Sequence, residues 1–201
     1  MFDVFCVTSR ALCREDFAER IEEIAACRPL GIVLREKDLS EEDYFALAAS
    51  LLPLCRRFGT PLIPHSFPDV ALRLGVSSLH LPLPALRSLP EEKKALFTEI
   101  GASCHSAEEA KEAERLGCTY LFAGHIFPTD CKKGLPGRGL DFLRAVLSQT
   151  TLPVYAIGGI GPENVFSVKK TGASGVCVMS SLMTCPSAAE YLLSLREAAH
   201  E

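Results

Sequence analysis

The residues able to do chemistry in this 201-residue chain recur at one kind of place, the end of a short apolar run. Arg35, Glu36 and Lys37 follow Gly31–Leu34, and His65 and Ser66 follow Leu62-Ile63. His80 lies in the run Ser78–Leu81, Ser103 and His105 follow Ile100–Ala102, and His125 follows Tyr120–Ala123. Ser180 and Ser181 close the last run, Val176–Met179. Imidazole titrates near neutral pH, so each of these histidines could accept a proton and return it. A histidine in such a place is also commonly a satisfied structural group, and spacing alone does not say which one reacts. Arg35 has the planar donor fork that pairs with carboxylate or phosphate.

A second feature is rich in glycine. Ile157-Gly158-Gly159-Ile160-Gly161-Pro162-Glu163-Asn164 follows the apolar run Val154–Ile157 and opens a helical stretch. Glycines there let backbone N–H groups approach an anion, and Met179-Ser180-Ser181 supplies a second half of the same cradle, which favours a phosphate on the ligand. A tight Gly-Gly turn is the plainer alternative. The pattern is neither a Walker loop, which ends in Gly-Lys-Ser/Thr, nor a Gly-x-Gly-x-x-Gly dinucleotide fingerprint. The segment 124–139 shows no periodicity and carries His125, Asp130, Lys132, Lys133 and Arg138. Unstructured connections longer than about 12 residues are uncommon inside compact domains and often cover a site. Lys133 reads as a solvated charge, whereas Lys132 and Arg138 stay open.

These residues need elements to hold them. Apolar runs of strand length (Asp3–Val7, Gly31–Leu34, Leu62-Ile63, Ser78–Leu81, Ile100–Ala102, Tyr120–Ala123, Val154–Ile157, Val176–Met179) alternate with stretches of helical periodicity. The helices are expected over Glu15–Ala26, Ser40–Arg57, Asp69–Leu74, Ser106–Leu116, Gly139–Leu147, Glu163–Lys170 and Ser187–Ala199, with a weaker one at Pro90–Leu96. Ser40 and the capping box Ser106-Ala107-Glu108-Glu109 start two of them, and Gly59, Gly75, Gly117 and Gly172 suit left-handed ends. Strands apolar enough to be buried on both faces point to a parallel sheet closed as a short (β/α)₈ TIM barrel, one domain over residues 1–201. An open doubly wound sheet is the alternative. In a barrel the reacting groups sit at the C-terminal ends of the strands, where the residues named above fall.

Composition excludes several classes. With 48% hydrophobic and 23% charged residues and a net charge of −4, the chain is neither disordered nor a dedicated nucleic-acid binder. No apolar run approaches the roughly 20 residues of a membrane span. The start, Met1-Phe2-Asp3, lacks the basic region of a secretory signal. The nine cysteines contain no Cys-x-x-Cys pair, so free thiols in a reducing cytoplasm are expected, with no structural metal.

Taken in order, Val33-Leu34-Arg35-Glu36-Lys37-Asp38, Pro61-Leu62-Ile63, Gly101-Ala102-Ser103-Cys104-His105-Ser106, Phe127-Pro128-Thr129 and Ile157-Gly158-Gly159-Ile160 resemble thiamin phosphate synthase and its relatives. The resemblance spans nearly the whole chain and implies a (β/α)₈ barrel. The stretch Gly124-His125-Ile126-Phe127 through Thr129–Leu135 to Gly137-Arg138-Gly139 is closer to one branch, the TenI-type thiazole tautomerases. Synthases join a pyrimidine diphosphate to a thiazole phosphate with Mg²⁺ on two aspartates. Here His65-Ser66 stands for the first Asn-Asp pair, Leu81-Pro82-Leu83-Pro84-Ala85 covers the second position, and Val33 replaces a glutamine. Hard dications want oxygen ligands, so the resemblance points to the tautomerase, an isomerase without cofactor or metal. It implies that His125 is the acid/base group that aromatises a carboxylated thiazole phosphate. Arg35 would pair with the substrate's anion, Lys37 and Lys132 would occupy the diphosphate positions, and Ser103 would line the ring pocket. Gly159, Ser180 and Ser181 would hold the phosphate, with Gly158 shaping the turn. His65 and His105 are rival bases. The other readings are thiamin phosphate synthase itself and a non-catalytic regulatory protein binding a thiazole or thiamin phosphate. The partner is then a small phosphorylated molecule, not nucleic acid or membrane, and self-association as a homo-oligomer is left open.

Overall fold

The computed structural model describes residues 2–129, 132 and 134–200. The strands are β1 (Asp3–Val7), β2 (Gly31–Leu34), β3 (Leu62–Pro64), β4 (Ser78–Pro82), β5 (Glu99–Cys104), β6 (Tyr120–Gly124), β7 (Val154–Ile157) and β8 (Gly175–Val178). Between and after them run α1 (Phe17–Ala26), α2 (Glu41–Arg57), α3 (Pro68–Arg73), α4 (Leu83–Ser88), α5 (Glu91–Lys94), α6 (Ala107–Arg115), α7 (Gly139–Leu147), α8 (Val165–Lys169), α9 (Ser180–Thr184) and α10 (Ala188–Ala198). All ladders are parallel, in the order β3-β2-β1-β8-β7-β6-β5-β4. Strand β1 lies beside β8, with Asp3 opposite Gly175 and Cys6 opposite Val178. The two edges of that sheet, β3 and β4, are joined by a parallel bridge from His65 to His80 and by Ser66 N donating to His80 O at 3.1 Å. The sheet therefore closes into the expected barrel rather than lying open.

Successive residues of a strand face opposite sides, and here both sides are apolar. Phe5, Val7, Val33, Ile63, Tyr120, Phe122, Tyr155 and Cys177 fill the barrel interior. Val4, Cys6, Ile32, Leu34, Leu79, Leu121 and Val176 face the helices. Inside, the Phe5 ring stacks on Tyr120 at 5.2 Å between centroids and meets Tyr155 edge-on at 4.8 Å. Gly101 makes room for this packing, since a Cβ there would lie 2.1 Å from the Tyr120 ring. Residues outside the helices' buried stripes stay wet, and no helix among the described residues is long and apolar enough to cross a membrane.

Local signals account for most of the elements. Ser40 and Ser106 cap α2 and α6 by accepting from Asp43 N and Glu109 N. Glu109 departs from the capping box, however: its carboxylate accepts from His105 N at 2.6 Å, one residue before the cap. Gly59, Gly75, Gly117 and Gly172 all adopt positive φ, as the helix ends require. Two helices were not anticipated. Pro82 and Pro84 look like breakers, yet Pro82 is the N-cap of α4 and Pro84 sits in its first turn, where a missing N–H costs nothing. Helix α9 is only five residues long, too short for an apolar period to register.

Candidate active site

A cleft of about 310 Å³ opens at the C-terminal ends of the strands. Arg35, Lys37, His65, His80, Ser103, His105, His125, Lys132, Gly158, Gly159, Ser180 and Ser181 all line it. A more open hollow of about 570 Å³ continues outward, sharing Thr129, Lys132, Gly159, Ile160, Ser180 and Ser181 with the cleft and adding Glu163 and Tyr191. Glu36 is not part of the lining. It is buried, and its carboxylate accepts from Thr8 Oγ1 at 2.6 Å and from Arg10 N at 3.0 Å, both just after β1. Arg138 also lies outside, its guanidinium over the Phe142 ring. Asp130 and Lys133 fall outside the described residues.

The four histidines occupy different environments. His80 is buried, with Nε2 2.9 Å from Ser103 Oγ and Nδ1 3.3 Å from Tyr120 Oη. Burial first, and then the neighbouring His65, pushes its pKa well down. His65 stacks on His80 at 5.8 Å between centroids and meets Ser66 Oγ at 2.8 Å through Nδ1. Burial first, then Arg35 and Lys37, brings the His65 pKa down to about 4. Both rings are therefore neutral at neutral pH. His105 Nδ1 lies 2.8 Å from Gly124 O, and His125 Nε2 lies 3.1 Å from Pro136 O. A carbonyl only accepts, so those nitrogens carry protons.

The glycine-rich turn is held from both sides. Asn164 Oδ1 accepts from Gly161 N at 3.1 Å, and its Nδ2 donates to Gly159 O at 2.8 Å. Gly158 has φ +101°, and a Cβ there would fall 2.4 Å from His125 Cβ. Its glycine is thus required by the approach of the segment after β6, whatever ligand the turn receives. That segment pairs back with the turn through Ile126 N to Ile157 O and Phe127 N to Gly158 O.

Among the described residues the cleft's cations have no anionic partner in its lining. Lys37's ammonium is held below its ordinary pKa by Arg35, by partial burial and by Lys132, in that order. Three positive groups thus face one volume, and among the described residues no carboxylate lines the cleft. The Mg²⁺ implied by a synthase does not fit this donor set. The positions after β3 and β4 present an imidazole, a hydroxyl, proline and leucine, and no described cluster of three His, Cys, Asp or Glu groups could hold a metal.

Sequence reasoning missed three supporting groups. Tyr44, buried on α2, donates to Leu34 O at 2.6 Å and accepts from His65 N at 2.9 Å, fixing β3 against β2. Tyr120 supports His80 from inside the barrel. Neither carries a signal beyond its apolar spacing. Thr8 does, since it is a polar residue directly after β1 and donates to Glu36.

Fold and site together define a (β/α)₈ barrel with a cationic pocket at the C-terminal ends of its strands. The chain belongs to the family described as Thiamine monophosphate synthase, whose profile matches residues 4–182. It is 34% identical over 189 residues to the thiamine-phosphate synthase of Syntrophomonas wolfei, covering 90% of this chain and 88% of that one. It is 35% identical over 190 residues to that of Desulfitobacterium hafniense strain Y51, covering 91% and 90%. The thiamine phosphate pyrophosphorylase of Pyrococcus furiosus superposes with a TM-score of 0.84 at 29% identity, covering 99% of this chain and 96% of that one.

These relatives correct the expected isomerase. At 34–35% identity over most of the chain they are named synthases, transferases, and not thiazole tautomerases. The physical reason lies in what the missing carboxylates mean. Their loss removes ligands for a metal, but it leaves the cations that meet a diphosphate, and those line the cleft.

Proposed function

We propose that this protein is a transferase of the thiamin phosphate synthase type, joining a pyrimidine diphosphate to a thiazole phosphate with release of diphosphate. The observation that supports this reading is a cleft lined by two sets of anion-complementary groups, continuing into a hollow that shares Lys132, Gly159, Ser180 and Ser181 with it. One set is Gly159, Ser180 and Ser181, whose backbone N–H and hydroxyl groups suit a monophosphate, with Gly158 shaping the turn. Arg35 and Lys37, with Lys132 that the cleft shares with the hollow, form a cation cluster suited to the more highly charged diphosphate. In the reaction the bond from the pyrimidine portion to the diphosphate breaks, with its electrons leaving on oxygen, and a bond to the thiazole forms. Cations already in place stabilise the charge that collects on the departing group. Ser103, hydrogen-bonded to His80, lines the same cleft and presents its hydroxyl there. His125 in this reading shapes the turn through its contact with Gly158 and its bond to Pro136. A cytoplasmic location, argued from the free-thiol spacing of the cysteines, belongs to the same proposal.

The test is to incubate the protein with the pyrimidine diphosphate and the thiazole phosphate, following coupled product and released diphosphate together. Stoichiometric appearance of both is expected. Arg35→Ala should raise KM for the diphosphate by roughly 10- to 100-fold, the worth of hydrogen bonds to a charged group. Tight binding of either phosphate with no coupled product, with or without Mg²⁺, would overturn the transferase and favour a binding protein.

A further inference from the structure

We infer that the cation cluster of this cleft takes its diphosphate ligand without a divalent cation, the three cationic side chains and neutral donors doing what a metal and its carboxylates would otherwise do. The inference rests on the transferase reading for the identity of the ligand and on the cleft itself for its binding mode.

Three observations carry it. The first is the imbalance of charge. Arg35, Lys37 and Lys132 face one volume, and no carboxylate among the described residues lines it. Among the described residues, a metal ion added there would meet three like charges and no carboxylate in the lining. A diphosphate, which carries more negative charge than the about −2 of a single phosphate, would neutralise all three at once. The second is Glu36, the carboxylate flanked in sequence by Arg35 and Lys37. Its oxygens accept from Thr8 and Arg10 and it does not line the cleft, so it offers no metal ligand there. The third is the His65-Ser66 pair at the end of β3. His65 Nδ1 is occupied by Ser66 Oγ, and among the described residues Nε2 has no partner while the ring lines the cleft. A neutral ring there adds a hydrogen-bonding edge without adding a fourth charge.

Ser66 also supplies the reverse experiment. Its φ is +69°, a left-handed conformation that aspartate tolerates better than most residues, so Ser66→Asp adds a carboxylate next to His65, whose ring lines the cleft, without new backbone strain.

The experiment is calorimetric titration of the whole protein with inorganic pyrophosphate, once in EDTA and once in excess Mg²⁺, alongside the coupling assay under both conditions. Binding in EDTA at least as tight as in Mg²⁺ is expected. Lys37→Gln, at an exposed position, should weaken it roughly 10-fold or more by removing one charge-assisted bond. Ser66→Asp should weaken binding in EDTA and recover part of it in Mg²⁺. Pyrophosphate binding that appears only with Mg²⁺, no binding in either condition, or Lys37→Gln binding like the wild type in EDTA would overturn the inference. The two readings fail separately. Coupling that requires Mg²⁺ would sink the metal-free clamp and keep the transferase. Pyrophosphate bound in EDTA with no coupling under any condition would sink the transferase and keep the clamp.

Discussion

His65 and His80 show how a residue's neighbours decide its chemistry. Both are ordinary imidazoles in sequence, yet closing the barrel buries them against each other and beside cations. For His65 the folded pKa of about 4 lies below the ordinary 6.5, so the folded protein binds fewer protons than the unfolded chain between those values. Stability is therefore complete above about pH 6.5 and falls as the pH drops toward 4, and the displaced His80 acts in the same direction. For His65 the full effect is of order 3 kcal/mol. Urea midpoints at pH 7, 6 and 5 should decline in the wild type and decline less in His65→Gln. A wild-type midpoint unchanged down to pH 5 would contradict this account. The same pair limits what sequence could say of the site. Eleven of the twelve lining residues named above are legible as polar groups or glycines at strand ends, because strand ends are marked by local apolar runs, whereas Lys132 stands in the aperiodic segment 124–139. Which histidine is neutral, and that Glu36 turns away, depends on Thr8, Arg10, Arg35 and Tyr120, whose distances in sequence carry no local signal.

At the scale of elements, the turn after β7 and the segment after β6 form one unit. Two backbone hydrogen bonds join them, and Gly158 is where they come closest. Gly158→Ala combines a φ of +101° with a Cβ placed 2.4 Å from His125 Cβ, so the backbone must shift. The expected loss is about 1–3 kcal/mol of stability together with most of the coupling activity, read by urea unfolding and by initial rates. Gly172→Ala is the matched control. Its φ of +92° is equally left-handed, but nothing lies within 4 Å of the added Cβ. It should cost about 1–2 kcal/mol with kcat unchanged. Equal activity losses in the two variants would show that this turn does not position the site.

For the whole molecule, the seam between β3 and β4 is the weakest part of the barrel wall. Ladders of three to five paired positions join the other neighbours, whereas the seam has a bridge and one hydrogen bond from Ser66 N. The amide of Ser66 should therefore exchange with solvent through local opening, while amides shared by β1 and β8 exchange only on global unfolding. Native-state hydrogen exchange in low denaturant separates the two. Equal protection at Ser66 and in β1 would show that the seam is locked by its side chains. His65 and His80, which bridge the seam, both line the cleft, so occupancy by pyrophosphate should raise protection there first.

What the sequence by itself determined was local. Apolar runs bounded by glycine and proline set the strands, with Asp3–Val7, Gly31–Leu34 and Val154–Ile157 realised to the residue, and caps such as Ser40 and Ser106 set the helix starts. Both depend on near neighbours along the chain, which a sequence displays directly. Only the tertiary structure decided the closure through His65 and His80, the retreat of Glu36 from the cleft, and the convergence of Arg35, Lys37 and Lys132 on one volume. The last of these also explains why the isomerase expectation failed. Read along the chain, absent carboxylates looked like an absent reaction. Folded, three cations share one cleft with no carboxylate among the described residues of its lining, because electrostatic balance is a property of a shared volume and not of spacing along the backbone.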